Sequence, residues 1–238
     1  MKRSDLRIKL FADGANLKDM LALAQQSYIK GFTTNPTLMR KAGITDYLRF
    51  AKEATANIVD RPISFEVFSD ELSEMDRQAR LISGWGKNVY VKIPVTNTRG
   101  ESTQSLVHAL SHDGIKLNVT AILTLPQVES MAKALAGGAP SIVSVFAGRI
   151  ADSGIDPVPM MVEALGVLGS ECPPAELLWA SPREVLNVVQ ADQIGCHIVT
   201  ATHDILDKLG RLGKDLDQFS LETVQMFYND AQAAGFTL

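Results

Sequence analysis

Val89-Tyr90-Val91-Lys92-Ile93-Pro94-Val95-Thr96 is the stretch on which the reading of this chain turns. β-Branched and aromatic residues crowd together and a proline ends the run, as in a buried strand. A lysine nevertheless sits inside it. Desolvating an ammonium is costly, so lysine is rarely buried without a partner. Three roles are open for Lys92 at this point. It snorkels at the strand's edge, it binds a phosphate, or it is a neutral amine ready to attack a carbonyl and form a Schiff base. The choice depends on what else reaches the same place.

The pattern around this strand repeats on both sides: a short apolar strand, a loop, then a helical stretch. Strands are expected over 7–12, 31–33, 63–67, 89–93, 115–120, 141–146, 177–180 and 196–200. Helical spacing is expected over 17–28, 47–58, from Asp70-Glu71 towards Ile82, and over 101–110, 125–135, 157–168, 182–190, 204–209 and 221–234. Thr34-Asn35-Pro36 stops the second strand, and Gly137-Gly138 stops a helix. Eight strands alternating with helices in 238 residues predict one parallel (β/α)₈ (TIM) barrel, a single domain over 1–238. The rival, an open doubly wound sheet, normally carries a Gly-rich phosphate turn after its first strand. Asp13-Gly14-Ala15-Asn16 stands there instead.

Apolar residues make up 46% and charged residues 21%, ordinary for a globular protein. A formal charge of −4 gives no basic field for nucleic acid. No leader pattern and no apolar run of spanning length are evident, so a cytoplasmic protein without membrane partners is expected. Cys172 and Cys196 make no disulfide framework, and the histidines at 108, 112, 197 and 203 have no metal-ligand spacing. No cofactor is expected.

In a barrel the chemistry sits where strands end. Those positions hold Asp13, then Thr33, Thr34 and Asn35, then Glu66, Lys92, Asn118, Thr120 and Ser144. Arg149 follows in the loop after strand six, Ser181 ends strand seven, and Arg183 lies just inside the next helix. An Asp, a Glu and a Lys on three apolar strands form either an ion network or a reactive set. As a reactive set they have a logic. Lys92 is the nucleophile, Asp13 or Glu66 moves protons, and the two arginine forks suit a phosphate. With no metal cluster, carbonyl activation falls to an imine, which suggests class I aldol cleavage or transfer on a sugar phosphate.

At these residues the sequence resembles the transaldolase family over nearly its whole length. The resemblance rests on Phe11-Ala12-Asp13, Thr33-Thr34-Asn35-Pro36-Thr37, Phe65-Glu66-Val67, Val91-Lys92-Ile93-Pro94-Val95-Thr96, Gly114-Ile115-Lys116-Leu117-Asn118-Val119-Thr120, Phe146-Ala147-Gly148-Arg149-Ile150 and Ala180-Ser181-Pro182-Arg183. The chain is similar to the compact branch, some of whose members are fructose-6-phosphate aldolases. The resemblance implies that Lys92 is the Schiff-base lysine and Asp13 the acid/base on the sugar hydroxyl. Glu66 and Thr120 would hold a proton-shuttling water. Asn35 and Asn118 would contact the hydroxyls of the three-carbon ketone. Arg149 would bind phosphate, with Ser144 and Ser181 as polar lining and Arg183 as a second basic contact. Pro182 departs from the family's usual phenylalanine.

The implied activity is transfer of a dihydroxyacetone unit between sugar phosphates in the pentose phosphate pathway. Two alternatives stand beside it: an aldolase that releases dihydroxyacetone, and a non-catalytic sugar-phosphate-binding barrel. Glu66 and Phe146 stand where the compact aldolases tend to carry glutamine and tyrosine, which favours transfer. The resemblance also implies a homo-oligomer.

Overall fold

The computed structural model describes residues 1–237. Its strands are β1 (Lys9–Asp13), β2 (Ile29–Thr33), β3 (Ile63–Glu66), β4 (Val89–Pro94), β5 (Leu117–Ile122), β6 (Ile142–Val145), β7 (Glu176–Ala180) and β8 (Ile198–Ala201). All pair in parallel and in chain order, and β1 pairs with β8 to close the barrel. The fold is a (β/α)₈ TIM barrel. The helices are α1 (Leu17–Ala24), α2 (Pro36–Lys41), α3 (Tyr47–Asn57), α4 (Leu72–Ser83), α5 (Gln104–His112) and α6 (Leu125–Leu135). After them come α7 (Ala147–Asp152), α8 (Pro157–Glu171), α9 (Val185–Gln193), α10 (His203–Lys208) and α11 (Leu216–Ala234).

Two short helices were not legible in the sequence. Thr34-Asn35-Pro36 ends β2 as expected but also starts α2. The Asn35 side chain accepts from Leu38 N–H at 2.9 Å, and Pro36, which has no N–H to lose, fills the first turn. Arg149 lies on α7 rather than in a loop. Three strands, β1, β5 and β8, begin two residues later than the apolar pattern suggests. Ile115 N–H still bonds to Leu110 O, and Cys196 N–H to Ala191 O, so both residues finish the preceding helix before the strand starts. α9 begins at Val185 rather than 182, because Asn187 Oδ1 accepts from the N–H groups of Arg183 and Glu184 ahead of the helix. α11 begins at Leu216, capped by Asp215.

Alternation along each strand divides the apolar residues into two regions. The larger lies between the outer face of the sheet and the helices. The smaller, inside the barrel, is made by Phe11, Ile142, Leu178, Ala180 and Ile198, with Tyr90 and Phe146 against them. Phe11 fits because its neighbour on β2 is Gly31: a Cβ there would lie 2.4 Å from the ring. This plug floors the barrel. Two residues further along β1, β4 and β6, on the same inward face, stand Asp13, Lys92 and Ser144.

Candidate active site

The parallel register sets Glu66 opposite Lys92, and Lys92 opposite Asn118. The Lys92 side chain is only 7% exposed, and it is not alone: Nζ lies 3.1 Å from Glu66 Oε2 and donates to Thr34 O at 2.9 Å. Those two partners answer the cost of burying an ammonium. They also hold the amine at the base of a cavity of about 440 Å³ at the C-terminal ends of the strands.

Asp13 stands across the mouth, half-buried. Thr33 Oγ1 donates to Asp13 Oδ1 at 2.8 Å, and Thr33 Oγ1 lies 2.5 Å from Thr200 Oγ1. With the Thr33 proton committed to the carboxylate, Thr200 is the donor to Thr33, so a two-hydroxyl relay feeds Asp13. Burial, the largest influence, pushes the Asp13 carboxyl above its ordinary range, and the Glu66 charge adds to this. The Lys92 charge and the hydrogen bonds from Thr33 and Asn35 oppose it.

Of the residues picked from the sequence, Asp13, Asn35, Glu66, Lys92, Thr120 and Ser144 line this cavity, together with Phe146, Arg149 and Ser181. Thr120 Oγ1 is buried without a hydrogen-bond partner among the described residues, a free polar group facing the ligand space. Arg149 is exposed at the rim, its guanidinium carbon 5.3 Å from the centre of the Phe146 ring. Two of the chosen residues are not brought to the cavity. Asn118 is fully buried beneath it, with Nδ2 donating to Ser64 Oγ at 3.1 Å and Oδ1 accepting from Ser144 Oγ at 2.7 Å. It orients Ser144 rather than meeting the cavity. Arg183 is not in the cavity lining and pairs with Asp152 at the end of α7 through both Nε and Nη2. It borders a smaller adjoining space that shares Asp13, Ser181 and Thr200 with the main one.

Groups to which the sequence assigned no role complete the site. The Thr34 main-chain carbonyl, Thr33 and Thr200 belong to it. Thr33 and Thr34 were visible at the end of β2, but a backbone acceptor leaves no trace in residue type. Backbone strain marks the rim: Ala121 has φ 62° and Ser181 φ 58°, a left-handed geometry disfavoured for residues with a Cβ. Ala121 falls where β5 slips register against β6. Gly148 lies so close to Ser181 that a Cβ would sit 1.6 Å from the Ser181 carbonyl oxygen. That contact seats α7, and with it Arg149, against the end of β7.

A buried lysine paired with a carboxylate at the strand ends of a closed barrel defines a lysine-centred (β/α)₈ site. Comparison with known proteins gives the family. The Transaldolase/Fructose-6-phosphate aldolase family matches residues 10–238. A probable transaldolase from Thermoanaerobacter sp. (strain X514) is 37% identical over 199 residues, 84% of this chain and 88% of that protein. A probable transaldolase from Methanococcus maripaludis (strain C5 / ATCC BAA-1333) is 36% identical over 202 residues, 85% of this chain and 89% of that protein. The chain belongs to the transaldolase/fructose-6-phosphate aldolase family and is an enzyme of transaldolase type. Among solved structures, dihydrodipicolinate synthase from Rhodopseudomonas palustris superimposes with a TM-score of 0.61 at 12% identity, over 97% of this chain and 81% of that one. A putative lyase/mutase from Burkholderia cenocepacia J2315 gives 0.58 at 12% identity, over 96% and 85%. At such identity the likeness is one of fold alone.

Proposed function

We propose that the protein is a class I, Schiff-base transaldolase. It carries a dihydroxyacetone unit from fructose 6-phosphate to erythrose 4-phosphate, giving glyceraldehyde 3-phosphate and sedoheptulose 7-phosphate. The observation that carries this is the buried Lys92 amine, 3.1 Å from Glu66 and lining a cavity with an arginine at its rim.

Lys92 first gives its ammonium proton to Glu66, the nearest base, and then attacks C2 of the ketose as the neutral amine. The C2 oxygen takes the proton from Glu66, the nitrogen returns one to it, and that proton departs with the carbinolamine hydroxyl as water. Thr120, whose hydroxyl has no partner among the described residues, and Glu66 would hold that water. The cationic imine then draws electrons. Asp13 takes the C4 hydroxyl proton, the C3–C4 bond breaks, and glyceraldehyde 3-phosphate departs. The raised proton affinity of Asp13 suits a group that must accept a proton and later return it. The enamine left on Lys92 adds to the second aldehyde, Asp13 protonates the new alkoxide, and water releases the product. Asn35 and Ser144 would contact the hydroxyls of the bound three-carbon unit, with Asn118 acting through Ser144. Arg149 and Ser181 would receive the phosphate.

Transfer is favoured over release because the Phe146 ring offers a catalytic water no hydrogen bond, so imine hydrolysis is slow and the enamine waits for an aldehyde. The test is to supply fructose 6-phosphate alone and then with erythrose 4-phosphate. Sedoheptulose 7-phosphate forming only with the acceptor, and little free dihydroxyacetone without it, is the expected result. Rapid release of dihydroxyacetone without acceptor reassigns the protein as an aldolase.

A cytoplasmic homo-oligomer is part of the same proposal. α11 buries none of its residues on its own barrel and exposes Leu221, Val224 and Phe227. Light scattering should give a mass well above the 25.8 kDa of one chain. A monomer removes this part alone.

A further inference from the structure

The ladder between β2 and β3 stops one step early, and a side chain from outside the barrel fills the break. Phe32 N–H donates to Pro62 O at 2.9 Å and Thr34 N–H to Ser64 O at 3.2 Å, the regular pattern of a parallel pair. The next bond of that pattern would run from Glu66 N–H to Thr34 O. Neither group takes it. Thr34 O accepts from Lys92 Nζ at 2.9 Å, and Glu66 N–H donates to the hydroxyl of Tyr47 at 3.0 Å. The same hydroxyl donates to Glu66 O at 2.9 Å. One oxygen atom thus does for Glu66 what a third residue of β2 would have done.

Tyr47 opens α3 and does not line the cavity. Its ring packs edge-on against Phe65 and Phe68, with centroids at 6.3 and 5.4 Å, and lies 5.7 Å from Trp85. Burial pushes its phenol above the usual range, so the hydroxyl stays a donor at any working pH.

We propose that Tyr47 is a positioning residue for the reaction. By taking both backbone hydrogen bonds of Glu66 it fixes the carboxylate against Lys92 and leaves the Thr34 carbonyl to the Lys92 amine. This rests on the Schiff-base function proposed above. Without the hydroxyl, Glu66 N–H either goes unpaired or takes the Thr34 carbonyl from Lys92. Either outcome disturbs the contact between amine and carboxylate while leaving every other substrate-facing side chain in place. The competing role, a peg holding α3 to the barrel for stability only, predicts no effect on chemistry.

Tyr47→Phe keeps the ring and its aromatic packing. The rate at which borohydride traps fructose 6-phosphate on Lys92, and kcat with it, should fall on the order of 10–100-fold, the scale expected for a small misplacement of reacting groups. KM should change by no more than about twofold. Phe68→Leu, which loosens the ring's packing but keeps the hydroxyl, should retain wild-type kcat. In a Glu66→Gln background the loss in trapping rate on removing the hydroxyl should shrink to about twofold or less, because both groups act through one position. Unchanged trapping and kcat in Tyr47→Phe, or a loss of equal size in the Glu66→Gln background, overturns the inference and leaves the proposed function standing. Should Tyr47→Phe not fold, amide exchange of the wild type decides: Glu66 N–H must be slow to exchange, and exchange at the rate of an open loop overturns the inference. No label at Lys92 in the wild type removes the function and the inference together.

Discussion

Asp13 and Thr33 face each other across the β1–β2 register, and the threonine hydroxyl donates to the carboxylate at 2.8 Å. The bond steadies the ionised form of a group that burial drives towards protonation, and burial wins. Because the folded state binds this proton more tightly than the unfolded chain does, the stability it contributes is complete below the ordinary 3.8. It is lost as pH rises through the higher folded value. Asp13→Asn is therefore expected to raise Tm at pH 7, with the gain shrinking to nothing as pH falls below 3.8, while turnover collapses. Thermal melts across pH check this. A variant less stable than wild type at neutral pH would show that the Lys92 charge outweighs burial.

Lys92→Arg keeps a cation beside Glu66 but removes the nucleophile, since a guanidinium stays charged. The expected outcome is a folded protein without turnover. Mass analysis after borohydride and fructose 6-phosphate should find the adduct at Lys92 in the wild type and none in the variant. Label on another lysine would displace Lys92 from the centre of the mechanism.

The two arginines should separate cleanly. Arg149→Ala is expected to raise KM for phosphorylated ketoses by roughly 10–100-fold, as loss of a charge-assisted phosphate contact predicts, and to change use of unphosphorylated ketoses little. Arg183 is engaged by Asp152, so Arg183→Ala should leave KM within about twofold of wild type. Steady-state kinetics on a phosphorylated and an unphosphorylated ketose distinguish the two. Equal losses on both substrates for Arg149→Ala would mark that residue as structural.

Gly148→Ala places a Cβ 1.6 Å from the Ser181 carbonyl oxygen, a position no rotamer can relieve. α7 must move off β7, carrying Arg149 with it. A stability loss of about 1–3 kcal/mol, or more, is expected from the overpacking, together with a higher KM for phosphorylated sugars. Denaturant titration and kinetics read the two effects separately. A variant neutral in both would mean that the strained Ser181 turn yields at little cost.

Much of this protein was written in the order of its residues. The alternation of apolar strands with amphipathic helices set the barrel, because a strand buried on both faces has few ways to satisfy itself other than between two like it and under a helix. The lysine at 92 and the carboxylates at 13 and 66 stood out because charge inside an apolar run needs a reason. The sequence did not reveal pairings that arise only when strands are set side by side. The Thr34 carbonyl is a backbone group, identical in every residue. The capture of Glu66 by Tyr47 joins positions nineteen apart through a break in a ladder. Arg183 read as a second phosphate ligand until the fold placed Asp152 beside it, and Asn118 as a substrate contact until the barrel buried it under Ser144. Residue type fixes which chemistry is available; register, strand endings and the turn at Ser181 fix which groups can touch, since a hydrogen bond or an ion pair is decided over a few tenths of an ångström.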